Sequence, residues 1–285
     1  MKINKISPAE HLYTEELQYH PNPPSKLFYR GELPSNRVPT VAIVGTRKPT
    51  IYGREIAKKI ANEVASRGGI VVSGMALGID GIAHNAAIEA GGITLAVLAN
   101  GVDKLYPTSH RGLGEKILKT GGVILSEYEP GISALPYRFL ERNRIVSGLA
   151  DAVVVVEAAA RSGTLSTASH ALNQGKEVFA VPGNITSPLS AGCNKLIKQG
   201  AQPLTEIQDL IDFLFPKQQT SKQISLLKGD TPAENKILEL LASGVSNGEE
   251  LLKKSGLNPS DFNQSITMLE IKDLISGDVN NWNLK

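Results

Sequence analysis

From residue 40 onward the chain alternates short apolar runs with helical segments, and no other feature constrains its fold as strongly. The runs are Val41–Val44, Ile70–Val72, Thr94–Leu98, Val123–Leu125, Ala152–Val156 and Val178–Val181. They are nearly continuous in apolar residues, which is typical of strands covered on both faces. Between the first two, Ile56, Ile60 and Val64 recur at helical spacing. We therefore predict an α/β fold with a doubly wound, mostly parallel sheet.

The chain divides into four parts at changes of composition. We predict a leader over 1–39 that packs on the next domain, a sheet domain over 40–215, a polar linker over 216–230 and a small domain over 231–285. We expect an irregular leader, because three prolines fall within His20–Pro24 and proline cannot continue a helix or a central strand. The small domain contains three helical segments and a terminal hairpin, which is the element order of a winged helix.

The charge of the chain is close to balanced. Lysine and arginine number 30 against 28 aspartates and glutamates, which gives a formal net charge of +2. A molecule with this charge attracts polyanions only weakly as a whole. Any phosphate binding must therefore come from a local cluster of cations.

Cysteine usage and hydropathy place the chain among cytoplasmic proteins. The single cysteine, Cys193, excludes an internal disulfide and a cysteine-based zinc site. The first ten residues lack the apolar core of a signal peptide, and no apolar run reaches the roughly 18 residues of a membrane helix. We expect a cytoplasmic protein without membrane insertion.

Three polar, glycine-containing loops follow predicted strands. They contain Gly45, Thr46, Arg47 and Lys48 after the first strand, Ser73 and Gly74 after the second, and Arg161, Ser162, Gly163 and Thr164 after the fifth. The carboxyl ends of parallel strands meet at one edge of a sheet, where ligands bind. Glycine lets backbone N–H groups approach an anion, and helix N-termini and hydroxyl groups add donors. We predict a phosphate site at this edge; the alternative is that the glycines only form tight turns.

Arginine is concentrated in segments that reach the same edge. The residues are Arg47, Arg138, Arg142, Arg144 and Arg161, with Asn143 between two of them. Guanidinium groups suit bidentate phosphate contacts, and no matching series of acids lies alongside. The alternative is a salt-bridged surface in which Glu141 and Glu157 pair with one or two arginines. Phe139 is either a stacking partner for an unpaired base or a core residue.

Two motifs of nucleotide-dependent enzymes, the dinucleotide-binding fingerprint and the P-loop, are absent from the sequence. The first loop is not Gly-x-Gly-x-x-Gly, and no Gly-x-x-x-x-Gly-Lys-Ser/Thr loop occurs. Asp80 and His84 are four residues apart, but a helix cap and a hydrogen-bonded histidine explain such a pair better than a metal site. We expect neither a cofactor nor a metal ion.

Four segments together resemble, in order and spacing, the motifs of the DprA (DNA-processing protein A, Smf) family. They are Gly45-Thr46-Arg47, Ser73-Gly74-x-Ala76-x-Gly78-Ile79-Asp80, Arg142-Asn143-Arg144-Ile145-x-x-Gly148-Leu149 and Ser162-Gly163-Thr164. The resemblance covers roughly residues 27–215, and the tail looks like the winged helix of that family. Thr46 stands where the family more usually has serine, and His110 stands where we expect asparagine.

The resemblance implies an extended Rossmann fold that binds single-stranded DNA independently of sequence. It also implies protection of incoming strands, loading of the RecA recombinase onto them in natural transformation, and a homodimer formed through the Rossmann domain. Arg47 would be the main phosphate contact, with Phe139 and residues 142–144 completing the pocket.

A nucleotide-processing enzyme and a small-nucleotide sensor are the alternatives. The third loop is similar to the Gly-Gly-x-Gly-Thr-x-x-Glu loop of the LOG-type phosphoribohydrolases, in which an acid follows the threonine by three residues. Here Thr167 occupies that position and cannot serve as a carboxylate. Capping explains Asp80, and ion pairing with neighbouring arginines explains Glu141 and Glu157. We expect a binding protein without catalysis, and the sequence does not distinguish a sensor from a DNA binder.

Two surfaces are candidates for protein contacts. The last helix of the sheet domain and its approach carry an apolar stripe of Leu204, Ile207, Leu210, Ile211 and Leu214. We expect part of this stripe to form a symmetric dimer contact, the alternative being packing on the parent sheet. The third helical segment of the small domain and its end carry Asp261, Glu270 and Asp273 against Lys272, which favours a protein-interaction module over a DNA reader.

Overall fold

The computed structural model describes residues 2–216, 229–242, 245–278 and 281–284. The chain folds as two compact units, Met1–Pro216 and Lys217–Lys285. Most of the predicted linker, residues 217–228, lies outside the described residues. Within the described ranges, no helix combines the length and apolar character that crossing a membrane requires.

A nine-stranded sheet forms the centre of the described part of the first unit. Its strands are β1 (Asn4–Ile6), β2 (Leu27–Arg30), β3 (Thr40–Val44), β4 (Ile70–Ser73), β5 (Thr94–Val97), β6 (Val123–Ser126), β7 (Ala152–Val155), β8 (Glu177–Ala180) and β9 (Gln202–Pro203). They lie in the order β1-β2-β6-β5-β4-β3-β7-β8-β9, and all neighbours from β6 to β9 are parallel. The chain winds outward from β3 in both directions, as in a doubly wound sheet. All six predicted strands are present, and the predicted fold class is confirmed.

Helices cover both faces of this sheet. They are α1 (Ile51–Ser66), α2 (Ile79–Glu89), α3 (Arg111–Lys119), α4 (Pro136–Gly148), α5 (Thr164–Asn173), α6 (Ala191–Lys198) and α7 (Ile207–Leu214). In β3, Val41 and Ile43 pack in one cluster with α1, α2 and α7. Ala42 and Val44 pack in another with α4, α5 and α6. Successive strand residues are thus buried on opposite faces, which explains the continuous apolar runs.

The leader is more regular than the sequence predicts. β1 pairs antiparallel with β2, and β2 pairs antiparallel with β6, so the leader extends the sheet at one edge. The expectation of an irregular leader is wrong at these strands, because the prolines near residue 22 fall between them and leave both free to pair. The remainder packs on the core through buried Tyr13 and Leu17, and the Tyr13 hydroxyl lies 2.7 Å from Thr40 Oγ1.

The apolar stripe at the end of the first unit faces its own core. Leu204, Leu210, Ile211 and Leu214 are buried in the cluster that contains α1 and β3. The expected dimer contact does not hold for these four residues, because their side chains are already covered within one chain. The homodimer stays a prediction from the family resemblance.

The described part of the second unit contains three helices and a hairpin. They are α8 (Pro232–Ala242), α9 (Gly248–Ser255), α10 (Pro259–Ile271), β10 (Ile275–Asp278) and β11 (Asn281–Leu284). The strands pair antiparallel, with Gly277 opposite Trp282 and Asp278 opposite Asn281. The predicted terminal hairpin is therefore present in the described residues. The helices and the hairpin follow the order that the sequence predicts.

His84 of α2 is fully buried in the first unit. Its Nδ1 lies 2.6 Å from Thr94 Oγ1, and that hydroxyl donates its proton to the Val71 carbonyl oxygen. Nδ1 must therefore carry a proton and donate to Thr94, while Nε2 has no hydrogen-bond partner among the described residues. Burial, with smaller contributions from His110 and Arg142, lowers the pKa of His84 to about 3.

The neutral state of His84 predicts a loss of stability in mild acid. Its folded pKa lies below the unfolded value of about 6.5, so below that pH the unfolded chain takes up a proton that the folded chain refuses. From about pH 7 to about pH 5, this group should lower the free energy of unfolding by about 2 kcal/mol. His84→Gln keeps a donor for Thr94 and should show a pH dependence smaller by that amount.

Urea unfolding followed by tyrosine absorbance measures this difference, because all seven tyrosines lie in the first unit. Wild type and His84→Gln share all other histidines, so the difference between their pH dependences reports on His84 alone. An identical pH dependence in wild type and His84→Gln would contradict a histidine held neutral by burial.

Candidate functional site

β3 and β7 are neighbours in the sheet, but the chain leaves them in opposite directions. After β3 it continues to β4 on one side, and after β7 it continues to β8 on the other. The loops that follow these two strands diverge and open a crevice at the carboxyl edge, which is where doubly wound sheets bind ligands. A cavity of about 660 Å³ lies at this position.

The cavity brings together ten of the fifteen predicted site residues. These ten are Gly45, Thr46, Arg47, Phe139, Arg142, Asn143, Arg161, Ser162, Gly163 and Thr164. Lys48, Ser73, Gly74, Arg138 and Arg144 lie outside this lining. Sequence reasoning missed Tyr106, Pro136 and Leu140, which also line the cavity. The spacing of 136, 140 and 143 along one face of α4 is the signal that could have found the last two.

Arg47 and Phe139 form one wall of the cavity. The Arg47 guanidinium lies over the Phe139 ring, with 5.4 Å between its central carbon and the ring centroid. The Tyr106 ring packs against Phe139 with 5.8 Å between centroids. Arg47 is exposed, so a ligand can reach its N–H groups. Phe139 is therefore a wall residue of the cavity and not a core residue.

The loop after β7 is tied to the loop after β3. The Thr164 hydroxyl donates to the Gly45 carbonyl oxygen at 3.1 Å, and the Thr164 N–H donates to Ser162 Oγ at 3.2 Å. The Asn143 amide donates to Ser166 Oγ at 2.9 Å, which holds the start of α5 against α4. α5 begins at Thr164, so the positive end of its dipole lies at the cavity wall.

Backbone N–H groups of the loop after β4 have hydrogen-bond partners within the chain. The Asp80 carboxylate accepts hydrogen bonds from the N–H groups of Gly74 and Ala76, at 3.0 and 3.3 Å. Ser73 is fully buried and donates its hydroxyl to the Ile43 carbonyl oxygen. The predicted phosphate contacts from Ser73 and Gly74 do not fit the structure, because the donors that an anion needs already have partners within the chain.

Arg142 is buried beneath the cavity. Its Nη1 donates to the carbonyl oxygens of Gly74 and Val97. Burial lowers the pKa of Arg142 to about 10, and the charge of Asp80 opposes this shift. Burial likewise raises the pKa of Asp80, and Arg142 is the main group that opposes the rise. The Arg142 guanidinium thus holds the cavity floor through backbone carbonyls, and its contact with phosphate stays a prediction.

Arg144 forms a buried ion pair outside the cavity lining. Its Nη2 lies 2.5 Å from Glu127 Oε2, and both side chains are largely buried. Two helical positions separate Arg144 from Arg142, which is about 200° around the helix axis. The two guanidinium groups therefore leave α4 on different sides. The predicted phosphate contact from Arg144 does not fit this geometry.

Arg138 and Lys48 lie beside the cavity. The Arg138 guanidinium contacts the rings of Tyr128 and Tyr137, and it donates to the Ser133 carbonyl oxygen. These partners would compete with a phosphate. Lys48 is exposed next to the Arg47 wall, and its contact with phosphate stays a prediction.

The glutamates near the cavity accept hydrogen bonds from hydroxyl and backbone groups. Glu157 is buried and accepts from the Thr50 hydroxyl at 2.5 Å and from the Thr50 N–H at 2.9 Å. Glu141 accepts from the Tyr128 hydroxyl at 2.7 Å. These hydrogen bonds take the place of the ion pairs that we expected between the glutamates and neighbouring arginines.

The part of the chain that the structure describes contains no set of ligands for a metal ion. No group of three or more histidine, cysteine, aspartate or glutamate residues there could hold a metal ion. Asp80 and His84 share α2, but Asp80 accepts from backbone N–H groups while His84 contacts Thr94.

The geometry defines the class of site. Two exposed arginines, Arg47 and Arg161, a helix N-terminus and an aromatic wall surround one crevice of a doubly wound sheet. Such a crevice suits a ligand that combines negative charge with planar rings.

The chain belongs to the family described as DNA recombination-mediator protein A, whose sequence profile matches residues 4–215. It is 42% identical over 214 residues to Protein Smf of Escherichia coli (strain K12), covering 73% of this chain and 57% of that protein. It is 39% identical over 213 residues to DNA processing protein DprA of Bacillus subtilis (strain 168), covering 74% of this chain and 71% of that protein. The chain thus spans less than two thirds of the length of the Escherichia coli relative. The family resemblance of the sequence motifs is confirmed.

Solved structures of this family share the fold. The X-ray structure of DprA from Streptococcus pneumoniae matches with a TM-score of 0.68 and 39% identity, covering 74% of each chain. DNA processing protein A from Helicobacter pylori matches with a TM-score of 0.67 and 32% identity, covering 76% of this chain and 97% of that one. The Helicobacter pylori structure is described for its single-stranded DNA binding mode.

Removing the Arg142 guanidinium should strongly destabilise the first unit. Arg142→Met leaves Asp80 without its cationic neighbour and leaves two buried carbonyl oxygens without this donor. We expect the free energy of unfolding to fall by about 3–5 kcal/mol. Arg161→Met changes an exposed arginine of the same cavity and should alter stability by no more than about 0.5 kcal/mol. Urea unfolding measures both variants, and equal stabilities would contradict the buried role of Arg142.

Proposed function

We propose that this protein binds and protects single-stranded DNA, without sequence preference, in the crevice between the loops after β3 and β7. The observation that carries the proposal is the Arg47–Phe139 pair, in which a guanidinium lies over a ring at the cavity wall. Single-stranded DNA offers a phosphate to the cation and an unstacked base to the ring, whereas a duplex keeps its bases stacked inside. A guanidinium beside an aromatic ring therefore favours single-stranded DNA as the ligand.

The size and lining of the cavity support the same proposal. A volume of about 660 Å³ lies in the range of pockets that hold whole organic ligands, and it is larger than a lone phosphate needs. The arginines and the helix N-terminus suit the DNA backbone, and the ring faces accept any base. Contacts of these two kinds carry no direct sequence information. The described binding mode of the Helicobacter pylori relative adds support from within the family.

We propose further that the crevice carries out no chemistry. Asp80, Glu141 and Glu157 accept the hydrogen bonds described above, which leaves none of these three carboxylates placed as a free general acid or base. Thr167 lines the cavity at the position where the LOG-type enzymes carry an acid. Turnover of AMP, cytokinin-type nucleotides or NADH that disappears in Glu141→Gln or Glu157→Gln would contradict this proposal.

We also propose that the protein loads the RecA recombinase onto the strand that it protects, as in natural transformation. The description of the family as a recombination mediator supports this step. We expect the wild-type chain to speed RecA-dependent ATP hydrolysis on single-stranded DNA that is already covered by single-strand-binding protein. An ATPase rate that the wild-type chain leaves unchanged would contradict the loading step while leaving DNA binding intact.

Replacing Arg47 should weaken binding to every single-stranded sequence alike. Arg47→Ala removes a charge-assisted phosphate contact, so we expect the dissociation constant for oligo-dT to rise about 10- to 100-fold. The slope of log K against log salt concentration should become shallower by about 0.7, which corresponds to one phosphate contact on a single strand. Fluorescence anisotropy of labelled oligonucleotides over a salt series measures both quantities.

Arg54→Ala is the matched control, because Arg54 is an exposed arginine of α1 outside the cavity lining. It should change the dissociation constant much less than Arg47→Ala. Equal affinities of wild type and Arg47→Ala for oligo-dT would show that the DNA-binding site does not include Arg47. Tight binding of AMP without binding of oligo-dT would favour a nucleotide sensor instead.

A further inference from the structure

Exposed apolar side chains form a rim along the first turn of α4 and the residues before it. Leu135, Tyr137 and Leu140 are 40%, 52% and 48% exposed, and Tyr106, which packs against Phe139, is 45% exposed. Leu140 and Tyr106 line the cavity, and Tyr137 is the helical neighbour of Leu140 at a spacing of three residues. Single exposed apolar residues are ordinary, but a cluster of them beside a cavity marks a contact surface.

The Tyr137 ring is held in place from one side. The Arg138 guanidinium contacts it at 5.5 Å from the ring centroid and also contacts the Tyr128 ring at 5.0 Å. Arg138 in turn donates to the Ser133 carbonyl oxygen, and the Tyr128 hydroxyl donates to Glu141. Tyr128, Arg138 and Tyr137 therefore form a supported stack whose outer member, Tyr137, is half exposed. A ring fixed in this way loses little conformational freedom when a flat ligand covers it.

We propose that Tyr137 is a base-stacking residue for the nucleotide next to those held in the crevice, and that Arg138 is its positioning residue. The assignment rests on the proposed function, since it places an unpaired nucleobase of bound single-stranded DNA on the Tyr137 ring. It also gives Arg138 a role that does not require a phosphate contact.

A nucleobase fits this surface better than a peptide does. Tyr137 lies one helical turn from Leu140 of the cavity lining, so a strand that leaves the cavity over Leu140 would reach the Tyr137 ring at a neighbouring nucleotide. Arg47, which lies over the Phe139 ring, and Arg138, which precedes Phe139 in α4, give the region the positive charge that favours a polyanion. Stacking on an aromatic ring also tolerates every base, as sequence-independent binding requires.

Tyr137→Ala tests the assignment with two oligonucleotides of equal length, one of dT and one of abasic sites. We expect the variant to bind oligo-dT at least about fivefold more weakly and to bind the abasic strand as the wild type does, because only the former offers a base to stack. The salt slope should stay unchanged, because no phosphate contact is lost. A 2-aminopurine in the oligonucleotide should be less quenched by the variant than by the wild type.

Three variants serve as controls. Tyr137→Phe keeps the ring and should behave as wild type, and Tyr19→Ala removes an exposed tyrosine of the leader and should not affect binding. Arg138→Met should reduce the change in 2-aminopurine fluorescence without changing the salt slope. A slope that becomes shallower by about 0.7 in Arg138→Met would instead show that Arg138 contacts a phosphate, and would overturn its positioning role.

The outcomes separate this assignment from the proposed function. Equal losses on oligo-dT and on the abasic strand, or an unchanged affinity of Tyr137→Ala for oligo-dT, would overturn base stacking while the wild type still binds single-stranded DNA. A wild-type chain that binds neither strand would overturn the proposed function and this assignment together. Loss of a bound protein partner with unchanged DNA affinity in Tyr137→Ala would assign the rim to a protein contact.

Discussion

The crevice depends on the buried Arg142 guanidinium and its hydrogen bonds to backbone carbonyl oxygens. Arg142 comes from α4 on one face of the sheet and reaches carbonyl oxygens at the ends of β4 and β5, beside Asp80 of α2 on the other face. A buried charge without partners costs several kcal/mol, so these carbonyls and this carboxylate are confined to one arrangement. The Asp80 carboxylate also accepts hydrogen bonds from two N–H groups of the loop after β4. One guanidinium thereby fixes the floor beneath the loops that line the cavity.

Two glycines of the loop after β4 are closely packed against their neighbours. A Cβ on Gly74 would lie 2.3 Å from the Arg142 guanidinium, and a Cβ on Gly78 would lie 2.4 Å from the Thr46 carbonyl oxygen. Gly78 also has a φ of +80°, which side chains other than glycine rarely adopt. The glycines of this loop are therefore required by internal packing, and they set the position of the backbone that carries Arg47. The loop after β4, which the sequence predicts to bind phosphate, thus supports the loop that carries Arg47.

The sequence predicts the parallel strands well and the roles of the arginines poorly, for physical reasons. Burial on two faces leaves a continuous apolar run that can be recognised locally. The short strands β1 and β2 instead depend on pairing, β1 with β2 and β2 with β6. A guanidinium is equally suited to a phosphate and to a backbone carbonyl. The partners of Arg142 lie 68 and 45 residues away along the chain, and the partner of Arg144 lies 17 residues away. Only the tertiary structure decides which arginine remains for a ligand.

This division among the arginines bears on how a protein with a net charge of +2 could hold a polyanion. Of the five predicted arginines, Arg142 and Arg144 are buried and Arg138 lies outside the cavity lining, which leaves Arg47 and Arg161 exposed in that lining. Two or three phosphate contacts on a single strand give a salt slope of only about −1.4 to −2. On the proposed function, counterion release is therefore a minor part of the affinity. The larger part must come from hydrogen bonds at the loops and from bases on aromatic rings, which is consistent with a cavity wall built around Phe139.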